Sequence, residues 1–314
     1  TSFNTLQPYT HYQLDLPNDQ TQFLIPGNYL LEIFDESDEM VFSRRFLIYE
    51  NLSTVEASVF RTRDLEFYQT HQSVQFSINP LKGAYFRDPQ NQIHVSIIQN
   101  DQWNTALNNL KPQYNNGSRL EYRYDTESRF EGGNEYLFFD SKGIQITSAN
   151  VSYVELNRLY ETYLTPNFLR RGYPYSFTQD INGDFIVRTL QGSENGDIEA
   201  DYSWVHFSLS APVLLEDQEI YIYGKFNNYQ LNEENKMYYN PSLEIYEGVV
   251  LLKQGIYNYK YVAKTPEYNL YNAICGSHAL TENRYLILVY YRFFGNQYDS
   301  LIGIEETSSF EVID

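Results

Sequence analysis

A single cysteine, Cys275, in 314 residues excludes an internal disulfide framework and leaves the redox compartment open. Methionine and tryptophan are nearly as scarce, with two of each. Cations are in short supply too: 22 Lys and Arg against 41 Asp and Glu give a formal charge of −19. A chain so charged repels phosphate backbones, because nucleic-acid affinity needs clustered cations to displace counterions. DNA, RNA and anionic lipid surfaces are poor partners on that ground. No apolar run reaches the ~20 residues that carry a helix across a bilayer. The longest candidate, Leu286 to Phe294, is interrupted by Arg292 and predicts a buried strand. No signal peptide is visible, and the first residues read as mid-domain sequence, so the expectation is a chain that starts after a removed segment.

What the chain has in quantity is aromatic rings, 31 Tyr and 20 Phe. Between Glu219 and Tyr261 it runs EIYIYGKFNNYQ and then YYNPSLEIYEGVVLLKQGIYNYKYV, an alternation broken by Gly, Asn and Pro. Strand side chains point alternately to two faces, which separates Ile220 and Ile222 from Tyr221 and Tyr223. Tyrosine suits a half-buried sheet, since its ring packs while its hydroxyl finds a partner.

The same rhythm extends along the chain. GNYLLEIF (Gly27–Phe34) and VFSRRFLIY (Val41–Tyr49) flank the acidic turn DESDE and predict a hairpin. Such a hairpin cannot build a sandwich core alone, so residues 1–48 are expected to be the C-terminal part of a truncated β-sandwich. Strand-length runs at 55–60, 73–79, 93–100, 119–124, 134–140, 151–157 and 184–190 outline a central domain, 49–203. Asn116-Gly117, Asn182-Gly183 and Asn195-Gly196 supply positive φ for tight type I′ turns. Trp103–Leu110 predicts a short helix ended by Lys111-Pro112. A third block, 204–314, keeps the strand rhythm. The fold class is therefore all-β: tandem immunoglobulin-like or fibronectin-like antiparallel β-sandwiches.

Reactive groups do not assemble into any familiar site. The five histidines form no close metal-ligand pair, and His94 and His206 sit in alternating strands as satisfied sheet residues. Cys275-Gly276-Ser277-His278 sets a thiol and an imidazole three residues apart, a loop spacing rather than a catalytic pairing. Asp180-Ile181-Asn182-Gly183-Asp184 resembles half a calcium loop. It has Phe185 where such a loop has Gly and Gln191 where it has Glu, so a hairpin turn is expected. Glu199 with Asp201, and Asp38 with Glu39, read as solvated faces and turns. Asn51, Asn116 and Asn150 head glycosylation sequons that matter only on a eukaryotic secretory route. No catalytic residue, cofactor or metal is expected.

Two resemblances add to this reading. YIYGKFNNY and GIYNYKYV resemble the early-set immunoglobulin-like modules related to glycogen-binding domains, whose carbohydrate-binding members typically carry Trp where this chain has Tyr229. That resemblance makes a periplasmic carbohydrate-binding module the alternative function. More widely, SFNTLQPYTHYQLDLPN, GNYLLEIF, RRF, HQSVQFSIN, IIQNDQWNTALNNLKPQY, FEGGNEYLFFD and DINGDFIVR are followed in order by EADYSWVHFSL, MYYN, LLKQGIYNYKYV, SHALTENRYLILVYYR and YDSLIGI. Together they look like the plug protein family of the type IX secretion system. That likeness implies a non-enzymatic periplasmic subunit on the outer membrane's periplasmic face. Its partner would be the outer-membrane translocon barrel, whose mouth it would seal when no substrate is in transit. It implies neither membrane insertion nor a small-molecule ligand. Partner-binding candidates are Trp103 and the turn Phe226, Asn227, Asn228 and Tyr229. Trp103 also suits core packing, the asparagines suit the turn itself, and Tyr229 is expected exposed at its tip.

Overall fold

The computed structural model describes residues 1–81, 86–190, 195–212, 218–310 and 312. Nearly all regular structure in it is β-strand, and it divides into two compact units. Unit one comprises Thr1–Gln13 and Gly133–Thr281; unit two comprises Leu14–Gly132 and Glu282–Asp314. The expected sequential boundaries at 48/49 and 203/204 are not those of the structure. The reason is strand exchange: Leu137–Asp140 pairs with Gly255–Lys264, and Ile93–Gln99 pairs with Arg284–Tyr291. Strands read as central and C-terminal blocks thus share sheets. Nor do the first 48 residues form a closed fold, since 1–13 belong to unit one and 14–48 to unit two.

In unit one a long sheet curls so that two arms face each other. One arm holds Glu219–Tyr223 and Gly255–Lys264; the other holds Val151–Leu156, Tyr160–Leu164, Tyr202–Ser210 and Ile245–Lys253. Lys236–Asn240 joins them, pairing with the first arm at Met237 and with the second from Tyr238 to Asn240. The core lies between: Phe207 meets Tyr259 edge-on at 5.0 Å and Phe139 at 5.8 Å. The buried tyrosines of this core, Tyr257, Tyr259 and Tyr261, keep their hydroxyls paired, which avoids the cost of desolvating an unmade hydrogen bond. Tyr259 and Tyr261, for instance, both donate to Asn167 Oδ1 at 2.8 Å. Not every pairing is antiparallel, as expected from sequence: Tyr160–Leu164 and Asn167–Phe168 run parallel to Tyr202–Ser210.

Unit two packs a four-stranded sheet, with Arg284–Tyr291 and Ile93–Gln99 central, against a sheet built on Ser53–Arg61 and His71–Pro80. Val74, Phe76, Ile78, Val95, Ile97 and Ile287 form the shared core. The expected hairpin is present as Gly27–Phe34 paired with Met40–Ile48. Asp35 Oδ1 shapes its turn by accepting from the Ser37 and Glu39 amides at 2.8 and 2.9 Å.

The Asn-Gly turns divide three ways. Asn182 and Gly183 both have positive φ, and the Asp184 amide donates to Ile181 O at 3.1 Å, so the tight turn is present. It is not the expected hairpin, because no strand leads into it and Phe185–Val187 pairs with Gly255–Lys264 instead. At Asn116-Gly117 only Gly117 has positive φ, because the two-residue loop is Gly117-Ser118. Asn195-Gly196 instead opens the helical turn Gly196–Glu199. Trp103–Leu110 is not a helix. Its first turn is 3-10, Trp103–Thr105, and Leu107–Leu110 is an edge strand on Ile93–Gln99. Three asparagines favour local side-chain bonds over helix, and Asn109 takes φ +61°.

Candidate interaction surfaces

The groups capable of chemistry are absorbed by the fold. Cys275 is 2% exposed within the core, and its carbonyl accepts from Asn134 Nδ2 at 2.8 Å. The chain turns at Gly276, where φ is +80°, and the His278 ring tilts onto Tyr175 at 5.6 Å. Burial, helped by the charge of Arg170, holds the His278 imidazole below its ordinary value. His94 is lowered by burial and then by Lys111, whose Nζ lies 3.2 Å from Nδ1. Asp180 accepts from the Asn182 and Tyr136 amides, and Asp184 pairs with Lys225 at 2.7 Å. Asp201 accepts from the Leu6 and Gln7 amides, which fastens the N-terminal segment to unit one. No group of His, Cys, Asp or Glu among the described residues could hold a metal.

The turn Phe226–Tyr229 faces inward more than expected. Tyr229 is 8% exposed, packed on Tyr223 at 5.2 Å. Its φ is +56°, and its hydroxyl reaches back to Asn182 O at 3.5 Å, beside Gly183. Phe226 meets Tyr257 edge-on at 5.9 Å. Asn227 holds the turn, donating to Ile222 O at 2.9 Å, and Asn228 takes the left-handed position, φ +53°. Gly224 precedes them because a Cβ there would lie 2.6 Å from the Phe226 ring and 2.8 Å from Asn258 O. Of these residues only Asn228 is exposed, so the turn offers a sugar no ring face from Tyr229. Lys260 is equally internal, 5.6, 5.7 and 5.9 Å from the rings of Tyr136, Tyr223 and Tyr271. Trp103, in unit two, is half-buried with the Arg45 guanidinium over its ring at 5.4 Å.

An open aromatic face lies elsewhere, on the side of unit one's second arm that points away from the core. Tyr153, Tyr163 and His206 are successive cross-strand neighbours there. Their rings stack at 4.2 and 4.1 Å, and His206 Nε2 lies 2.7 Å from Glu161 Oε2. His206 pairs next with Val249, and Trp204 with Leu251. At the end of the face Tyr202 and Lys253 are covered by Tyr9, whose ring is 3.7 Å from Lys253 Nζ. The sequence signal for this face is VVLL, 249–252. Four consecutive apolar residues in a strand place two on each side, so the outer side cannot be wholly polar.

A family model described as the type 9 secretion system plug protein 1st domain matches residues 1–50. The chain belongs to the type IX secretion system plug protein family. A search of curated proteins finds no relative. Among solved structures, a hypothetical protein from Parabacteroides merdae is 33% identical, with a TM-score of 0.92 over 98% of this chain and 78% of its own. The all-β architecture is thus shared with that solved structure over essentially the whole chain. The family match falls on the segment whose two parts are divided between the two units.

Proposed function

We propose that this chain is a non-enzymatic plug subunit. It binds the outer-membrane translocon barrel from the periplasmic side and seals its opening when no substrate is in transit. The family match at residues 1–50 carries the reading. Two physical features support it. The thiol, imidazole and carboxylate groups considered for catalysis serve packing and turns, and no helix among the described residues is long and apolar enough to cross a membrane. Sheets packed on aromatic cores are stiff bodies, suited to covering a pore by surface contact. The partner contacts fall to exposed aromatic and aliphatic side chains rather than to Tyr229.

Deleting the gene tests the reading. A strain without the subunit should admit a periplasm-excluded dye or antibiotic through the idle translocon and regain exclusion on complementation. Unchanged permeability in the deletion strain contradicts the proposal.

A further inference from the structure

We propose that unit one's outer sheet face, centred on Trp204, Val249 and Leu251, docks a basic protein surface: an apolar ridge flanked by Lys or Arg side chains. This rests on the plug reading and names the face and its partner's chemistry.

The first observation is the pattern of exposure. A sheet with one face on the core normally turns polar side chains outward. Here the directly paired Trp204 and Leu251 are 39% and 37% exposed, and Val249 beside His206 is 42% exposed. A single exposed Leu would mean nothing, but adjoining rows form a patch of the sort that marks an interaction site. Tryptophan at the centre of such a patch is the side chain most often found to dominate binding.

The rim supplies the partner's sign. Glu155 accepts from the Tyr163 hydroxyl at 3.0 Å and Glu247 from Asn240 Nδ2 at 2.8 Å. Both carboxylates are exposed and neither forms an ion pair with a Lys or Arg among the described residues. Their charge is therefore free to meet cations on a partner. A second copy of this chain would bring −19 against −19 and acid against acid, so it does not fit.

Continuity is the third observation. The end of the face already holds one segment of chain, with Asp201 gripping the Leu6 and Gln7 amides and Tyr9 lying over Tyr202 and Lys253. The open rows begin immediately beyond it, at Trp204 and Leu251.

The test uses the full chain and purified type IX translocon barrel in detergent, immobilised for kinetic binding. Trp204→Ala should weaken binding by about tenfold or more, as for a central aromatic anchor. Glu155→Lys with Glu247→Lys should slow association several-fold at about 50 mM salt, with the difference closing at about 500 mM. Val41→Ser, on the hairpin of unit two, should bind as wild type. Thermal midpoints check folding, and the exposed charge pair carries the test alone if Trp204→Ala misfolds. Wild-type binding with neither variant impaired overturns the face while leaving the plug reading intact. So does a dimer of this chain abolished by Trp204→Ala. Failure of the wild type to bind overturns both.

Discussion

At the scale of single residues, stability rests on polar groups that the core cannot leave unpaired. Asn283, 3% exposed in unit two, accepts from Asn100 Nδ2 at 2.7 Å and donates to Gln72 Oε1 and Gly132 O. Asn283→Ala removes all three bonds, although Gln72 Oε1 keeps the Tyr285 hydroxyl, and should cost about 2–3 kcal/mol in urea unfolding. Gly224→Ala should cost roughly 1–3 kcal/mol, because its methyl must displace the Phe226 ring or the Asn258 carbonyl. His278 gives a pH dependence whose sign follows from burial. Its folded imidazole is held below the ordinary 6.5, so above that value it is neutral in both states and adds no slope. As pH falls below 6.5 the unfolded chain binds a proton that the folded chain resists, and stability drops. Urea midpoints at about pH 7.5 and about pH 5 should therefore differ less in His278→Gln than in the wild type.

Elements were legible where alternation was strong and turn chemistry unambiguous. GNYLLEIF is a strand over its full length, and the Asp180–Asp184 sequence makes a tight turn because its carboxylates bind local amides and Lys225. The spacing of Trp103–Leu110 suits a helix while its pairing with Ile93–Gln99 decides otherwise; tertiary context overrides propensity. Domain boundaries were illegible for a related reason. No local pattern announces that Leu137–Asp140 will pair with a strand more than a hundred residues on. The exposed face is hard to read from sequence because Trp204 and Leu251 become neighbours only through register, while the conspicuous turn at Tyr229 folds inward. The N-terminal segment, which has no strand in unit one, is held by the Asp201 carboxylate at Leu6 and Gln7, by the Phe3 amide on Ile198 O and by the Tyr9 hydroxyl on Ala200 O. Asp201→Ala should accelerate amide exchange at Leu6 and Gln7, read by mass spectrometry, while exchange in Tyr202–Ser210 stays protected.

For the molecule as a whole, the proposed plug function assigns the work to surface contact rather than to reactive groups. The plug family match, the all-β architecture and the open aromatic face point the same way. Ion flow through the purified translocon barrel in a planar bilayer tests this most directly. Adding this chain from the periplasmic side should close a conducting barrel reversibly, and washing it out should restore conductance. A barrel that binds the chain yet conducts as before would contradict the account.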